Sequence, residues 1–362
     1  MTATRPARVG IVGCGDVTGL YLPGSARFPV IELAACADLD AGRAAALSAK
    51  GGFPAVSIEA LLADPSIEIV LNLTPPMAHA VVSLGAIAAG KHVYSEKPFA
   101  TSRDDALAIL AAADAAGVRV GGAPDTFLGG GLQTARSIID AGEIGEPTGA
   151  NAAVLHLGPE RWHPNPSIFY GRGGGPLLDV GPYYVAALVH LLGPITSVSA
   201  VARGAGGKRR IASGPRAGEM FPVVAPTSVV AAYTFATGAI GGLMASFDVV
   251  ASTSPHLEIH GPAGSLELGD PNRFDGHVRR RLIDDDAWTD VPLRFDGTVG
   301  RGVGLADMIE AIRDDRPARA SGAFAFHVLD VLLATEEAAA EGRTVRIEST
   351  VERPAAMPEP IA

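Results

Sequence analysis

A chain of 362 residues with 48% hydrophobic content has the length of about two domains and enough apolar side chains for two cores. Its net charge of −10 argues against a general nucleic-acid or anionic-membrane surface, and no unbroken apolar run has the length of a membrane span. The polar start, Met1 to Pro6, lacks the basic and apolar regions of a secretory signal, and Cys14 and Cys36 sit where small buried residues pack, so reduced, structural thiols in a cytoplasmic protein are expected.

The apolar run Val9, Ile11, Val12 ends in Gly13 and Gly15 and leads into a segment able to turn helical. That strand-to-helix order is what a phosphate-binding turn requires. Gly13 permits the tight turn, Gly15 lets backbone approach a pyrophosphate, and the amides through Asp16 and Val17 meet the negative charge. The third glycine of the usual pattern is replaced by Thr18, which weakens the signal, since two close glycines also occur in ordinary tight turns. A second apolar run from Ile31 ends at Asp38, where a ribose ligand is expected. Its carboxylate suits the hydroxyls of NAD and repels the 2′-phosphate of NADP. The plain alternative is a polar residue at a strand end.

Short apolar runs at 67–73, 92–95 and 118–121 then alternate with Ala-rich helical stretches at 41–50, 79–89 and 103–117. The alternation predicts a doubly wound parallel sheet of Rossmann type, with Gly90 and Gly117 as left-handed helix caps. After Pro124 come longer β-rich runs at 149–157, 195–202, 228–235, 239–248, 256–260 and 264–268, which predict an α/β domain with a large, open, mostly antiparallel sheet. Helices return at 304–313 and 324–341. The expected division is a cofactor domain at 1–124, a second domain for substrate binding and oligomerisation at 125–350, and a Pro-rich tail at 351–362, draped or disordered. Lys208-Arg209-Arg210 and Arg279-Arg280-Arg281 read as solvated loop or hairpin positions, the second answered by Asp284-Asp285-Asp286. No spacing of His, Cys, Asp and Glu suggests a metal cage.

Three later stretches carry reactive groups. Thr74-Pro75-Pro76 and His79 follow a strand end on the ligand edge of the sheet; His79 either reaches the cofactor or is satisfied locally. Glu96-Lys97-Pro98 ends the next strand on that edge, with Lys97 either in a surface ion pair or orienting a substrate hydroxyl. Gly173-Gly174-Gly175 leads into a helix expected to begin near Leu178 or Asp179. Asp179 would then lie at its positive end and share a face with Tyr183, unless it is merely a loop cap. Before the triplet, Trp162 offers a face for a sugar ring or the nicotinamide. Arg161 and Arg172 either bind an anionic group or are solvated cations.

The glycine turn, Glu96-Lys97-Pro98 and Gly-Gly-Gly-x-x-x-Asp-x-Gly-x-Tyr together resemble the Gfo/Idh/MocA family, and the similarity runs from Val9 to the helix carrying His327 and Asp330. The resemblance implies NAD as cofactor, a small carbohydrate substrate, and a homo-oligomer, dimer or tetramer, built on the second domain's sheet. It further implies Lys97, Asp179 and Tyr183 as catalytic residues. Expected cofactor contacts are Gly13, Gly15, Asp16, Val17, Asp38, Thr74, Pro75, His79, Glu96, Lys97 and Trp162. Expected substrate contacts are Lys97, Asp125, Arg161, His163, Arg172, Asp179 and Tyr183. Many members have histidine where Tyr183 stands, and an unassisted tyrosine titrates near pH 10, so Lys97 is the expected source of assistance. The leading expectation is oxidation or reduction of a secondary alcohol of a sugar, cyclitol or sugar acid. The alternatives are a glycosidase that oxidises the ring transiently and a non-catalytic dinucleotide-binding regulator.

Overall fold

The structure is a computed structural model that describes residues 5–204 and 206–358. Two compact units emerge: the residues up to Gly129 together with Thr298–Leu329, and Gly130–Gly297 together with the residues from Asp330.

The first unit begins β1 (Ala7–Val12), α1 (Thr18–Ser25), β2 (Ile31–Ala37), α2 (Ala41–Gly51), α3 (Ile58–Ala63), β3 (Ile69–Asn72), α4 (His79–Ala88), β4 (His92–Ser95), α5 (Arg103–Ala116) and β5 (Val120–Gly122). All five strands run parallel, in the order β2-β1-β3-β4-β5. Every residue of β3 is buried, as a central strand covered by helices on both faces must be. Local chemistry sets the helix ends. The Asp40 carboxylate accepts from the Gly42 and Arg43 amides at the start of α2, and the Ser102 hydroxyl caps α5. Gly117 closes α5 in the left-handed conformation (φ 66°), and Gly90 has φ 72°. The chain order reverses between β1 and β3, and ligands of open parallel sheets bind in the crevice beyond such a switch point.

The second unit contains α6 (Gly130–Asp140), β6 (Gly149–Leu155), α7 (Gly175–Asp179), α8 (Gly181–Leu192), β7 (Ile195–Arg203), β8 (Lys208–Arg210), β9 (Met220–Pro222), β10 (Ser228–Phe235), β11 (Ile240–Ser246), β12 (Leu257–Gly261), β13 (Gly264–Leu268), β14 (Val278–Leu282) and β15 (Thr289–Asp290). Then follow α9 (Val303–Arg313), α10 (Gly322–Glu341), within which the division falls, and β16 (Val345–Arg346). Nine strands form one sheet, β15-β14-β13-β12-β6-β11-β10-β7-β16, in which only β6 and β11 pair in parallel. β10 alternates buried and exposed residues, the mark of a sheet packed on one face and open on the other. On the open face Val201, Val230 and Met244 lie opposite one another across β7, β10 and β11.

Two sequence expectations are refined by the structure. Of the two positions expected for Arg279-Arg280-Arg281, loop or hairpin, the structure has the hairpin, with all three in β14, paired antiparallel with β13 and β15. Arg279 pairs with Glu267 at 2.6 Å and with Asp290 at 3.7 Å, while Arg280 pairs with Glu143. Of the nearby aspartates, Asp285 accepts from the Leu282 amide through its carboxylate and from Arg281 Nε through its backbone carbonyl. A single helix was also expected to start near Leu178; the structure has α7 ending at Asp179 and α8 starting at Gly181, with Val180 between. Pro182, lacking an N–H, falls in the first turn of α8, where none is needed. The tail is draped where it is described: the Met357 amide donates to Gln133 Oε1 and Arg136 donates to the Pro354 carbonyl, while residues 359–362 lie outside the described residues.

Candidate active site

The glycine turn is set by close approach and by open space. Gly13 has φ 96°, and a Cβ there would lie 2.6 Å from the backbone of Leu73 and Thr74, so the turn after β1 rests directly on the end of β3. Gly15 differs: no protein atom lies within 4 Å of where its Cβ would be. Packing does not demand glycine at position 15, which leaves approach by a ligand as the physical reason for it. The amides of Gly15, Asp16 and Val17, at the start of α1, have no acceptor among the described residues. Thr18, in place of the third glycine, turns its hydroxyl back onto the Gly15 carbonyl at 2.6 Å and tightens the same turn. At the end of β2 the half-buried Asp38 accepts from the Cys14 amide at 2.7 Å and the Asp40 amide at 2.8 Å. Its carboxylate is thereby fixed beside the turn, with lone pairs left for ribose hydroxyls. Free donors, open space and this carboxylate together fit a dinucleotide.

Beyond β3, the fully buried Asn72 pins the Thr74 to His79 loop. Its amide nitrogen donates to the His79 carbonyl and the Ser83 hydroxyl, and its oxygen accepts from the Thr74 hydroxyl at 2.6 Å. Pro75 is exposed and Thr74 half-buried. His79 is buried, with Nδ1 2.6 Å from the Pro98 carbonyl and Nε2 2.7 Å from that of Thr74. Both ring nitrogens thus face carbonyls, of which a neutral imidazole donates to one, and the ring ties the loop after β3 to the loop after β4. Burial pulls its pKa below the ordinary imidazole value, against the opposing pull of the two carbonyls.

After β4, Glu96 is 6% exposed. Its Oε1 accepts from the Tyr21 hydroxyl at 3.0 Å and its Oε2 from the Lys97 amide at 2.9 Å. Both oxygens are used in holding the strand end, which fixes the backbone of the half-buried Lys97 on the ligand edge of the sheet. Asp125 requires a correction, because it has no surface with which to touch a substrate. It is wholly buried, accepting from Arg301 at 3.1 Å and from the Gly304 amide at 3.1 Å. Burial pushes its pKa up, while Arg301 opposes that shift. With the bridge between Gly121 and Ser321, this pair fastens 298–329 to the first unit.

In the second unit the glycine triplet is needed twice over. Gly173 and Gly175 have φ 78° and 83°, and a Cβ on Gly174 or Gly175 would lie 2.6 Å from the carbonyl of Phe169 or Pro226. The chain is thus threaded into α7, which ends at the half-buried Asp179. Tyr183 follows in the first turn of α8, 6% exposed, with its amide donating to the Val180 carbonyl. Its neighbour Tyr184 is committed elsewhere, its hydroxyl 2.9 Å from His256 Nδ1 and 3.0 Å from Asp270. Burial and the Asp270 charge push the Tyr184 pKa upward.

Trp162 is 63% exposed, with its ring edge-to-face against His163, which in turn meets Phe169 edge-to-face. Arg161 and Arg172 are exposed. Sequence reasoning missed the cluster behind this loop. Glu160 accepts from the Tyr170 hydroxyl and from Arg209 at 2.7 Å, and Arg209 also pairs with Asp248. A Cβ on Gly158 would lie 1.8 Å from the Tyr170 hydroxyl, so the cluster dictates glycine there.

A parallel sheet with an open glycine turn, joined to a unit built on a mostly antiparallel sheet, defines an NAD-binding oxidoreductase, and comparison with known proteins agrees. Residues 7–122 match the oxidoreductase family with an NAD-binding Rossmann fold, and residues 132–267 match the GFO/IDH/MocA C-terminal domain. The chain belongs to the GFO/IDH/MocA family.

Among curated relatives, it is 28% identical to 1,5-anhydro-D-fructose reductase of Ensifer adhaerens over 72% of this chain and 74% of that one. It is 32% identical to dTDP-3,4-didehydro-2,6-dideoxy-alpha-D-glucose 3-reductase of Saccharopolyspora spinosa over 54% of this chain, and the match spans only 59% of that relative's length. A solved NAD-binding oxidoreductase from Klebsiella pneumoniae superimposes with a TM-score of 0.81 at 25% identity, covering 95% of this chain and 99% of that one. Among the described residues, no helix is long and apolar enough to cross a membrane.

Proposed function

We propose that this protein oxidises or reduces a secondary alcohol of a sugar, cyclitol or sugar acid by hydride transfer with NAD. The observation that carries the reading is the anchoring of Lys97: Glu96, buried and held by Tyr21, fixes the Lys97 backbone on the ligand edge of the same sheet that carries the open glycine turn. The names of the two curated relatives, both sugar reductases, support the substrate class.

Bound NAD supplies the hydride acceptor, and the amides of Gly15 to Val17 together with Asp38 hold it. Lys97 and Asp179 orient and polarise the substrate oxygen. The Tyr183 hydroxyl oxygen carries the proton that leaves that oxygen on oxidation and returns on reduction. Asp179 and Tyr183 flank the break between α7 and α8, which supports their acting as a pair. The exposed row of Val201, Val230 and Met244 supports assembly of copies through the open sheet. A cytoplasmic location fits Cys14 and Cys36, both free and buried.

The test is to incubate the protein with NAD and a panel of sugars, cyclitols, sugar acids and glycosides while following NADH absorbance and aglycone release together. Stoichiometric NADH with a free sugar is expected. Aglycone release without net NADH points instead to the glycosidase cycle, and NAD binding without hydride exchange on any compound points to a regulator.

A further inference from the structure

The second unit holds a cleft of about 680 Å³ whose walls include Arg161, Arg209, Arg210, Glu160, Asp248 and Phe247. Its charges fall into two sets. Arg209 is spent on the protein itself: it donates to Glu160, to Asp248 and to the Phe247 carbonyl, and its guanidinium lies 5.0 Å from the centre of the Tyr170 ring. Glu160 and Asp248 are likewise spent, Glu160 on Tyr170 and Arg209, and Asp248 on Arg209, Thr227 and Ser228. The floor of the cleft is therefore a hydrogen-bonded network in which one guanidinium meets two carboxylates, so any positive charge available to a ligand comes from elsewhere in the lining. Arg161 and Arg210 form the other set. Both are exposed, and neither side chain has a hydrogen bond or ion pair among the described residues.

We propose that this cleft is an anion subsite in which Arg161 and Arg210 grip a carboxylate or phosphoryl group carried by the substrate. Two guanidiniums without ion-pair partners, lining one concave space, suit the planar, bidentate recognition of oxyanions that arginine provides better than lysine. The carboxylates of Glu160 and Asp248 are held by Arg209 and by the hydroxyls of Tyr170, Thr227 and Ser228, and neither is paired with Arg161 or Arg210; with three arginines against two carboxylates, the charged lining keeps a net positive charge. Arg172, which the sequence had paired with Arg161, does not line the cleft; its place is taken by Arg210. The assignment deepens the sugar reading above and rests on it for the identity of the ligand's carrier, but anion binding is measured without turnover.

The experiment is isothermal titration with inorganic pyrophosphate and, separately, D-glucuronate, with NAD saturating so that the dinucleotide turn is occupied. It compares the unmodified protein with Arg161→Gln, Arg210→Gln and, as a charge control outside the cleft lining, Lys208→Gln. All three positions are exposed, and thermal melts confirm that each variant is folded. Binding of at least one probe, weakened tenfold or more by either arginine substitution and not by the lysine one, is expected. Which probe binds identifies the group as phosphoryl or carboxylate. No binding of either probe, equal binding in all four proteins, or an equal loss in Lys208→Gln overturns the proposal. If the probes bind as expected but no sugar is turned over, the subsite stands and the reaction assigned above falls.

Discussion

Tyr21, on α1, donates its hydroxyl to the Glu96 carboxylate at the end of β4, and both residues are buried. The helix that follows the glycine turn is thereby coupled to the strand end that carries Lys97. The glycine turn's helix and the strand end before Lys97 therefore share one support.

Tyr21→Phe tests that coupling. Removing one donor to a buried carboxylate should lower the free energy of unfolding by about 1–3 kcal/mol. Turnover should fall while NAD affinity changes little, because the amides of Gly15 to Val17 remain. Denaturant titration and stopped-flow reduction of NAD read the two effects, and an unchanged stability removes Glu96 from its anchoring role.

Asp38→Ala should weaken NAD binding by about 1.5–3 kcal/mol, the worth of a charged hydrogen bond. NADP binding should weaken far less. The ratio of the two losses is what matters. Asp38 also accepts from the Cys14 and Asp40 amides, so loosening of the turn alone would affect both cofactors equally.

His79 predicts a pH dependence of stability. Its folded pKa is lowered by burial, so between that value and the ordinary value of about 6.5 the unfolded chain binds a proton that the folded chain refuses. Stability therefore rises with pH through that window, is fully present above it, and is lost as pH falls below it. Thermal melts of the parent and of His79→Asn across this range should show a steeper acid loss in the parent. A parent slope equal to or shallower than the variant's contradicts the assignment.

What was legible in the sequence was what local chemistry decides. The glycine turn, the carboxylate ending β2, Glu96-Lys97-Pro98 and the glycine triplet each sit within a few residues of the strand or helix that gives them meaning. The missed partners join residues far apart in the chain: Tyr21 and Glu96 are 75 positions apart, and Asp125 and Arg301 are 176. β14 escaped because three consecutive arginines show no apolar alternation; their charges are answered by Glu267 and Glu143 on other elements. α6 escaped because it opens on Gly130 and Gly131, which look like loop. Those glycines are demanded by the backbones of Phe295 and Gly276, which a Cβ would approach to 2.6 and 2.2 Å.

The central claim is that Tyr183 carries the proton in a hydride transfer on a sugar hydroxyl. It is tested most directly by single-turnover hydride transfer, as a function of pH, in Tyr183→Phe and Tyr184→Phe, using whichever sugar the panel identifies. Tyr183→Phe keeps the ring and deletes only the hydroxyl, so the protein should fold and the step should slow by roughly 10²–10⁴. The pH profile of that variant should differ from the parent's. Tyr184→Phe loses contacts to His256 and Asp270, so it should cost stability and leave both the rate and the pH profile largely intact. A Tyr183→Phe protein with near-parental rate and an unshifted profile would contradict the account and give the proton to another group.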